Sequence, residues 1–336
     1  MNVGIIGAGG VSIFHNEGYK AAGARVLAIA DVSQAALDAR QKQWGIPDGY
    51  LDYHDLLARE DIVAVSVCLP NALHHPATLA AARAGKHVLC EKPISLSLEK
   101  AEEMIRACRD AGVVLQTGHH LRTSPFAMKA RELIQTGALG RVTYVRLRQA
   151  HDWGGATTVR DSFGKLASSG GGTLLDNGCH MMDLARYLAG DVWELHARTA
   201  TLGFDIEVED TSVVTLEFAS GALGTVENAW TATGWEEGFW VYGTRGALEY
   251  TNRTGVKEMR QVQRYASGTG WTDPDVVVHR YGGLDAHSVG VIAFLEAIRG
   301  ERPVVCSGED GLEAVRMVLA SYESARERRP VTLARG

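Results

Sequence analysis

Cysteine is scarce in this chain. The five present, Cys68, Cys90, Cys108, Cys179 and Cys306, are scattered through 336 residues, mostly in apolar surroundings. None forms a CxxC pair or joins histidine at zinc-ligand spacing, which argues against a disulfide framework and a zinc module and reads as a reduced, cytoplasmic compartment. No apolar run approaches the length of a membrane span, so no membrane partner is expected. An excess of positive charge is also missing: the formal net charge is -6, which offers nothing to a nucleic-acid backbone. There is no low-complexity segment and no internal repeat. The opening "MNVGIIGAGG" has neither a basic region nor a cleavage site, so no secretory signal is expected. What remains is an ordinary globular composition, 46% hydrophobic and 22% charged, in a chain longer than one core usually holds. Two domains are expected.

The two halves have different rhythms. Over the first part, short apolar runs alternate with helical patterns: "NVGIIGAG", "RVLAIAD", "DIVAVSVCLP", "HVLCEKP" and "VVLQTGH" read as five strands. The segments between them read as helices, with Ser33 a candidate N-cap and Gly85 a candidate stop. Continuous apolar strands separated by helices imply a parallel sheet covered on both faces. Beyond the helix "SPFAMKARELIQTG", strands with alternating patterns follow one another, among them "RVTYVRLRQA", "TSVVTLEFAS" and "GFWVYGT". That pattern predicts an α+β domain with an open, mainly antiparallel sheet. The expected partition is an α/β Rossmann domain over residues 1–121 and an α+β domain for substrate binding and oligomerisation over 122–336. "TSVVTLEF" and "GFWVYG" carry apolar residues on both alternations, so the outer face of the second sheet is expected to be covered in a homodimer or homotetramer.

"GAGGVS" follows the first strand and opens a helix. Gly7 permits the tight turn, Gly9 lets backbone approach a pyrophosphate, and the helix N-terminus offers unpaired N–H groups. The third glycine of the usual pattern is replaced by Ser12. Asp31 ends the second strand 22 positions after Gly9, where an acid can bind the adenosine ribose hydroxyls and repel a 2′-phosphate. NAD is therefore expected rather than NADP. A plain glycine turn with a capping Asp31 is the bland alternative.

With these residues in view, the chain resembles the Gfo/Idh/MocA oxidoreductases, the glucose–fructose oxidoreductase and inositol dehydrogenase family. The resemblance runs through "GIIGAGGVS", "AIADVS", "CLPNALHHPATLAAARAGKHVLCEKP", "GGGTLLDNGCHMMDLARYLAG", "VYGTRGALEY" and "SGEDGLEAVRMVLASYESAR". It implies a Rossmann domain, a C-terminal open-sheet domain, a nicotinamide cofactor, and a sugar, cyclitol or related polyol as substrate. It implies cofactor contacts from Gly7, Gly9, Gly10, Val11, Asp31, Pro70, Asn71, His74, Glu91 and Lys92. The departures are Ser12 and His120, where the family often has Asn.

Oxidising a secondary alcohol requires a hydride to leave carbon and a proton to leave oxygen, so the protein must supply a base and a group that stabilises charge on oxygen. Lys92 follows a parallel strand, at the end where open α/β sheets bind ligands; by resemblance it contacts substrate oxygen. Pro93 would fix the chain direction there, and a cis Lys92–Pro93 bond is one way to do so. On a helix, Asp176, His180, Asp183 and Tyr187 fall on one polar stripe, beside an apolar stripe of Met181, Leu184, Ala185 and Leu188. By resemblance Asp176 and His180 are the active-site acid and histidine; Asp183 reads as orienting His180 or capping locally rather than touching substrate. The competing readings are a stripe facing water or a zinc site, and no metal is expected. Gly178 suggests close approach of a ligand. Weaker candidates for substrate contact are His120, Arg122 and Trp153, with His151 and Asp152 beside the tryptophan. His75 reads equally as a helix-start residue, and Glu91 as a turn cap. Cys179 reads as core filler. The expected activity is NAD-dependent hydride transfer on a sugar or cyclitol. The alternatives are an NAD-retaining lyase or glycosidase using transient oxidation, and a non-catalytic NAD sensor. Which of Lys92 and His180 is the base stays open.

Overall fold

A computed structural model describes residues 1–152, 163–253, 255–263 and 276–333. The chain divides into two compact units, Met1–Ser124 with Leu284–Val315, and Pro125–Gly283 with Arg316–Gly336.

The first unit is built on a six-stranded parallel sheet. Its strands are β1 (Asn2–Ile6), β2 (Arg25–Ala30), β3 (Asp48–Tyr50), β4 (Ala64–Val67), β5 (His87–Cys90) and β6 (Leu115–Thr117), in the order 3-2-1-4-5-6. That order is the doubly wound dinucleotide-binding arrangement, with its reversal between β1 and β4. Helices α1 (Ser12–Ala21), α2 (Gln34–Trp44), α3 (Tyr53–Leu57), α4 (His74–Arg83) and α5 (Leu98–Asp110) connect the strands. Ser33 caps α2, its hydroxyl accepting the Ala36 N–H, and Gly85 follows α4 at φ +69°. One strand is additional to the five expected: β3 is three residues long and set among polar and turn-forming residues, which hid it.

The second unit holds α6 (Pro125–Gln135), β7 (Val142–Asp152), α7 (Leu166–Ser169), α8 (Thr173–Ala189), β8 (Val192–Ala200), β9 (Thr211–Phe218), β10 (Leu223–Ala229), β11 (Thr231–Gly243), β12 (Gly246–Arg253), β13 (Val256–Gln263) and β14 (Val276–His279). With β15 (Val331–Thr332) these strands form a nine-stranded sheet in the order 14-13-12-11-7-10-9-8-15. Every pairing is antiparallel except β7 with β10, which is parallel. The exception follows from the chain path: α7, α8, β8 and β9 intervene before β10 returns beside β7. Helix α8 packs on β7, β9 and β10.

The partition at residue 121/122 assigned the whole remainder of the chain to the second domain. The structure instead places α9 (Ala286–Ile298) in the first unit. Val291, Phe294 and Leu295 of α9 are buried in one cluster with Val3, Ile5, Tyr19, Ile29 and Leu89. A side chain at Gly18 would meet Val291 Cβ at 2.7 Å, so the glycine lets α1 and α9 come together. The apolar stripe of α9 looks the same whichever sheet it covers, and the sequence cannot tell the two apart. The last helix is α10 (Gly308–Glu327).

Candidate functional site

The glycine turn leaves β1 at the reversal of strand order. Gly7 has φ +104°, and a Cβ there would stand 2.3 Å from the Cys68 carbonyl oxygen, so only glycine fits. Cβ atoms at Gly9 and Gly10 would meet nothing within 4 Å, and both residues are exposed. Ser12, in place of the third glycine, is fully buried and donates its hydroxyl back to the Gly9 carbonyl at 2.6 Å. No side chain caps the start of α1, and its first turn holds no acid. Asp31 accepts the Ala8 N–H at 2.8 Å on one oxygen and the Ser33 N–H at 2.9 Å on the other. Open space over Gly9 and Gly10, an uncapped helix start beside Val11, and an acid braced at the end of β2 together fit a dinucleotide's pyrophosphate and ribose.

Arg40, which the sequence did not single out, braces this turn from α2. Its guanidinium donates to the Ala8 and Gly9 carbonyls and to Gln43, and lies 4.9 Å over the Trp44 ring.

After β4, Pro70 is exposed and Asn71 half-buried. His74 departs from expectation: it is fully buried, with Nδ1 2.8 Å from the Pro93 oxygen and Nε2 2.8 Å from the Leu69 oxygen. Carbonyl oxygens only accept, and burial lowers the His74 pKa, so a neutral ring donates to one of them at a time. Both nitrogens face backbone, which makes His74 a clamp rather than a cofactor contact. His75 meets Glu103 of α5 at 2.8 Å, a contact between helices.

Lys92 is half-buried two residues beyond the end of β5, and the Lys92–Pro93 bond is cis. Glu91 is buried, with Oε1 2.9 Å from His15 Nε2 and Oε2 accepting the Lys92 N–H at 3.2 Å. Its carboxylate is therefore committed to protein partners, which corrects the expectation of a cofactor contact from Glu91. Burial works against charge on both partners. The hydrogen bond and charge of His15 nevertheless lower the Glu91 pKa to about 2, and Cys68 and Glu91 raise that of His15 to about 10.

Beyond β6, the half-buried His120 stacks face to face on His287 with ring centroids 3.6 Å apart, and His287 stacks on Phe14 at 4.4 Å. Burial and the neighbouring His287 push the His120 pKa well below its ordinary value. His15, Glu91, Gln116, His120 and His287 line one small cavity of this unit. Arg122 is 5% exposed, pairs with Asp310 at 3.0 Å and donates to the Val305 carbonyl. It ties this unit together, and the expectation of substrate contact fails because the guanidinium is turned inward.

In the second unit, α8 carries Asp176 half-buried, His180 5% exposed and Asp183 1% exposed. A polar stripe facing water is thereby excluded. The helix starts on Glu209, a buried acid that accepts N–H bonds from Gly172 and Leu174 and the hydroxyl of Tyr322. A Cβ at Gly172 would stand 1.9 Å from the Glu209 carbonyl oxygen. Gly178 admits Asn228 of β10, whose amide nitrogen would be 3.1 Å from a Cβ there, so packing within the unit accounts for this glycine. His151 is buried, with Nε2 3.2 Å from the Asn177 side-chain oxygen and its ring stacked on Trp235 at 4.8 Å. Asp152 ends β7 and is exposed; Trp153 lies outside the described residues. Cys179 is fully buried, as core filler would be. His15, Arg40, His287 and Glu209 carried no motif. A buried histidine or acid at an unremarkable helical or loop position shows its meaning only through its partners.

Residues 1–119 match the model of an oxidoreductase family with an NAD-binding Rossmann fold, and residues 127–249 match the GFO/IDH/MocA C-terminal domain. The myo-inositol 2-dehydrogenase of Thermotoga maritima is 31% identical over 99% of this chain and 98% of its own. The 1,5-anhydro-D-fructose reductase of Ensifer adhaerens is 33% identical over 91% of this chain and 90% of its own. Among solved structures, levoglucosan dehydrogenase in complex with NADH superposes with a TM-score of 0.91 over 100% of both chains, at 24% identity, a likeness of fold.

Proposed function

This chain belongs to the Gfo/Idh/MocA oxidoreductase family, and from that premise we propose that it transfers a hydride between NAD and a secondary alcohol or ketone of a sugar, cyclitol or related polyol, with Lys92, His180 and Asp176 serving the reacting carbon. One observation carries the reading. The glycine turn, Asp31 and Lys92 all stand at the C-terminal ends of parallel strands in one sheet, where such sheets bind ligands. The relatives' printed activities, on inositol and anhydro-sugars, support the substrate class.

NAD, when bound, supplies the hydride acceptor for the alcohol or the donor for the ketone. Gly9, Gly10 and Val11 would hold its pyrophosphate on backbone N–H groups, while Gly7, whose own N–H is donated to the Ala30 carbonyl at 2.7 Å, makes the turn that presents them. Asp31 would take ribose hydroxyls, and Pro70 and Asn71 bound the turn after β4. Lys92 presents an ammonium to the substrate oxygen and stabilises negative charge as it develops. His180 takes the hydroxyl proton as general base. Asp176 orients His180 and binds an adjacent hydroxyl. His120 borders the substrate.

The face of the nine-stranded sheet that no helix covers among the described residues supports a homodimer or homotetramer. It presents Trp240 under the Arg146 guanidinium at 4.8 Å, together with the exposed Val213, Leu223 and Tyr242. Light scattering at micromolar concentration tests this, and a monomer contradicts it.

The activity is tested by incubating the protein with a panel of polyols and sugars and either NAD or NADP. NADH accumulating with at least one polyol class is expected. Tight NAD binding with no accumulation on any member would favour cofactor-retaining chemistry or a sensor.

A further inference from the structure

His15 sits one turn into α1, is 2% exposed, and has no part in the proposed chemistry. Its Nε2 lies 2.9 Å from Glu91 Oε1 and its Nδ1 2.8 Å from Ser66 Oγ, which in turn is 2.7 Å from the Tyr19 hydroxyl. Serine, histidine and carboxylate here have the order of a hydrolytic triad. Ser66 is completely buried, however, so no substrate carbonyl can reach its oxygen.

The network ends instead at Lys92. The second oxygen of Glu91 accepts the Lys92 N–H. Gly118 leaves room for this carboxylate: a Cβ there would stand 2.6 Å from Glu91 Oε1. On the far side, His74 reaches the Pro93 carbonyl. The backbone is thus held on both sides of Lys92 by buried histidines, one acting through Glu91. An ammonium on a four-carbon stem is flexible, so the accuracy of its placement begins with the backbone it leaves.

We propose that His15 is a positioning residue for Lys92: it fixes the Glu91 carboxylate, and that carboxylate fixes the backbone from which the lysine side chain departs. The inference rests on the reading of Lys92 as a catalytic residue. It also links α1, which begins at the glycine turn, to the end of β5 through side chains alone.

The test measures kcat, KM and the NAD dissociation constant for His15→Ala, Lys92→Ala and the double variant of the full chain, using the polyol turned over fastest. His15→Ala should lower kcat about 10- to 100-fold, the scale of a small misplacement of a reacting group. KM and NAD affinity should stay within about twofold, and the double variant should be no slower than Lys92→Ala, since placement matters only while the lysine is there. His15→Gln, whose amide can still donate to Glu91, should recover part of the loss, and it replaces His15→Ala should that variant fail to fold. Unchanged kcat in the His15 variants overturns the proposal and leaves Lys92 catalytic. So does a double variant that loses the product of the two effects, or a collapse of NAD affinity in the His15 variants. Wild-type turnover in Lys92→Ala overturns the underlying reading, and this proposal with it.

Discussion

Asp31 and Glu91 are both acids just beyond strand ends, and their surroundings give them different tasks. Asp31 is half-buried and accepts two backbone N–H bonds, with room left at its oxygens for hydroxyl donors. Asp31→Ala should weaken NAD binding roughly tenfold, the worth of one or two hydrogen bonds to a charged group, and should narrow the preference over NADP. Fluorescence titration of both cofactors checks this; unchanged NAD affinity would remove Asp31 from the ribose. Glu91 faces inward to His15, and their pairing is linked to pH. The His15 pKa is raised from 6.5 to about 10, so its stabilisation is complete below about pH 6.5 and is lost as pH rises through 10. The Glu91 pKa is lowered from 4.5 to about 2, so its stabilisation is complete above about pH 4.5 and is lost as pH falls through 2. Between pH 7 and 9 the melting temperature should therefore fall more steeply in the wild type than in His15→Gln. Parallel slopes in thermal melts would mean that the ring is neutral in the folded protein.

At the scale of elements, α9 shows how an apolar stripe is assigned by its packing. Phe294 is fully buried among residues of the parallel-sheet unit. Phe294→Ala should cost about 3–5 kcal/mol of unfolding free energy in denaturant titration. A loss below about 1 kcal/mol would show that α9 is not part of that core. Five of the six parallel strands could be read from the sequence because each carries an apolar run closed by a glycine, a proline or a helix signal; β3, three residues reading Asp-Gly-Tyr, carries none. The glycine turn could be read for the same local reason. The parallel pairing of β7 with β10 could not, because pairing depends on chain path rather than on local pattern. Lys92 and His180 stood out through motifs, whereas His15 and Glu209 did not. His74 and Arg122 were misassigned for a related reason: the sequence shows a polar side chain but not which way it turns, and both turn inward to protein partners.

At the scale of the whole molecule, Lys92 comes from the Rossmann unit and His180 from the helix on the mixed sheet, yet the proposed chemistry requires both in one step. A dehydrogenase that takes a proton with one and holds the oxygen with the other has a transition state that neither residue serves alone. That is the central claim, and a kinetic cycle over Lys92→Ala, His180→Ala and the double variant tests it most directly. Each single change should lower kcat by roughly 10²- to 10⁴-fold, the span for a lost acid–base group, with NAD affinity unaltered. The double variant should lose far less than the product, because a transition state already missing one partner has little left for the other to contribute. Losses that multiply, or near wild-type turnover in either single variant, would contradict the account.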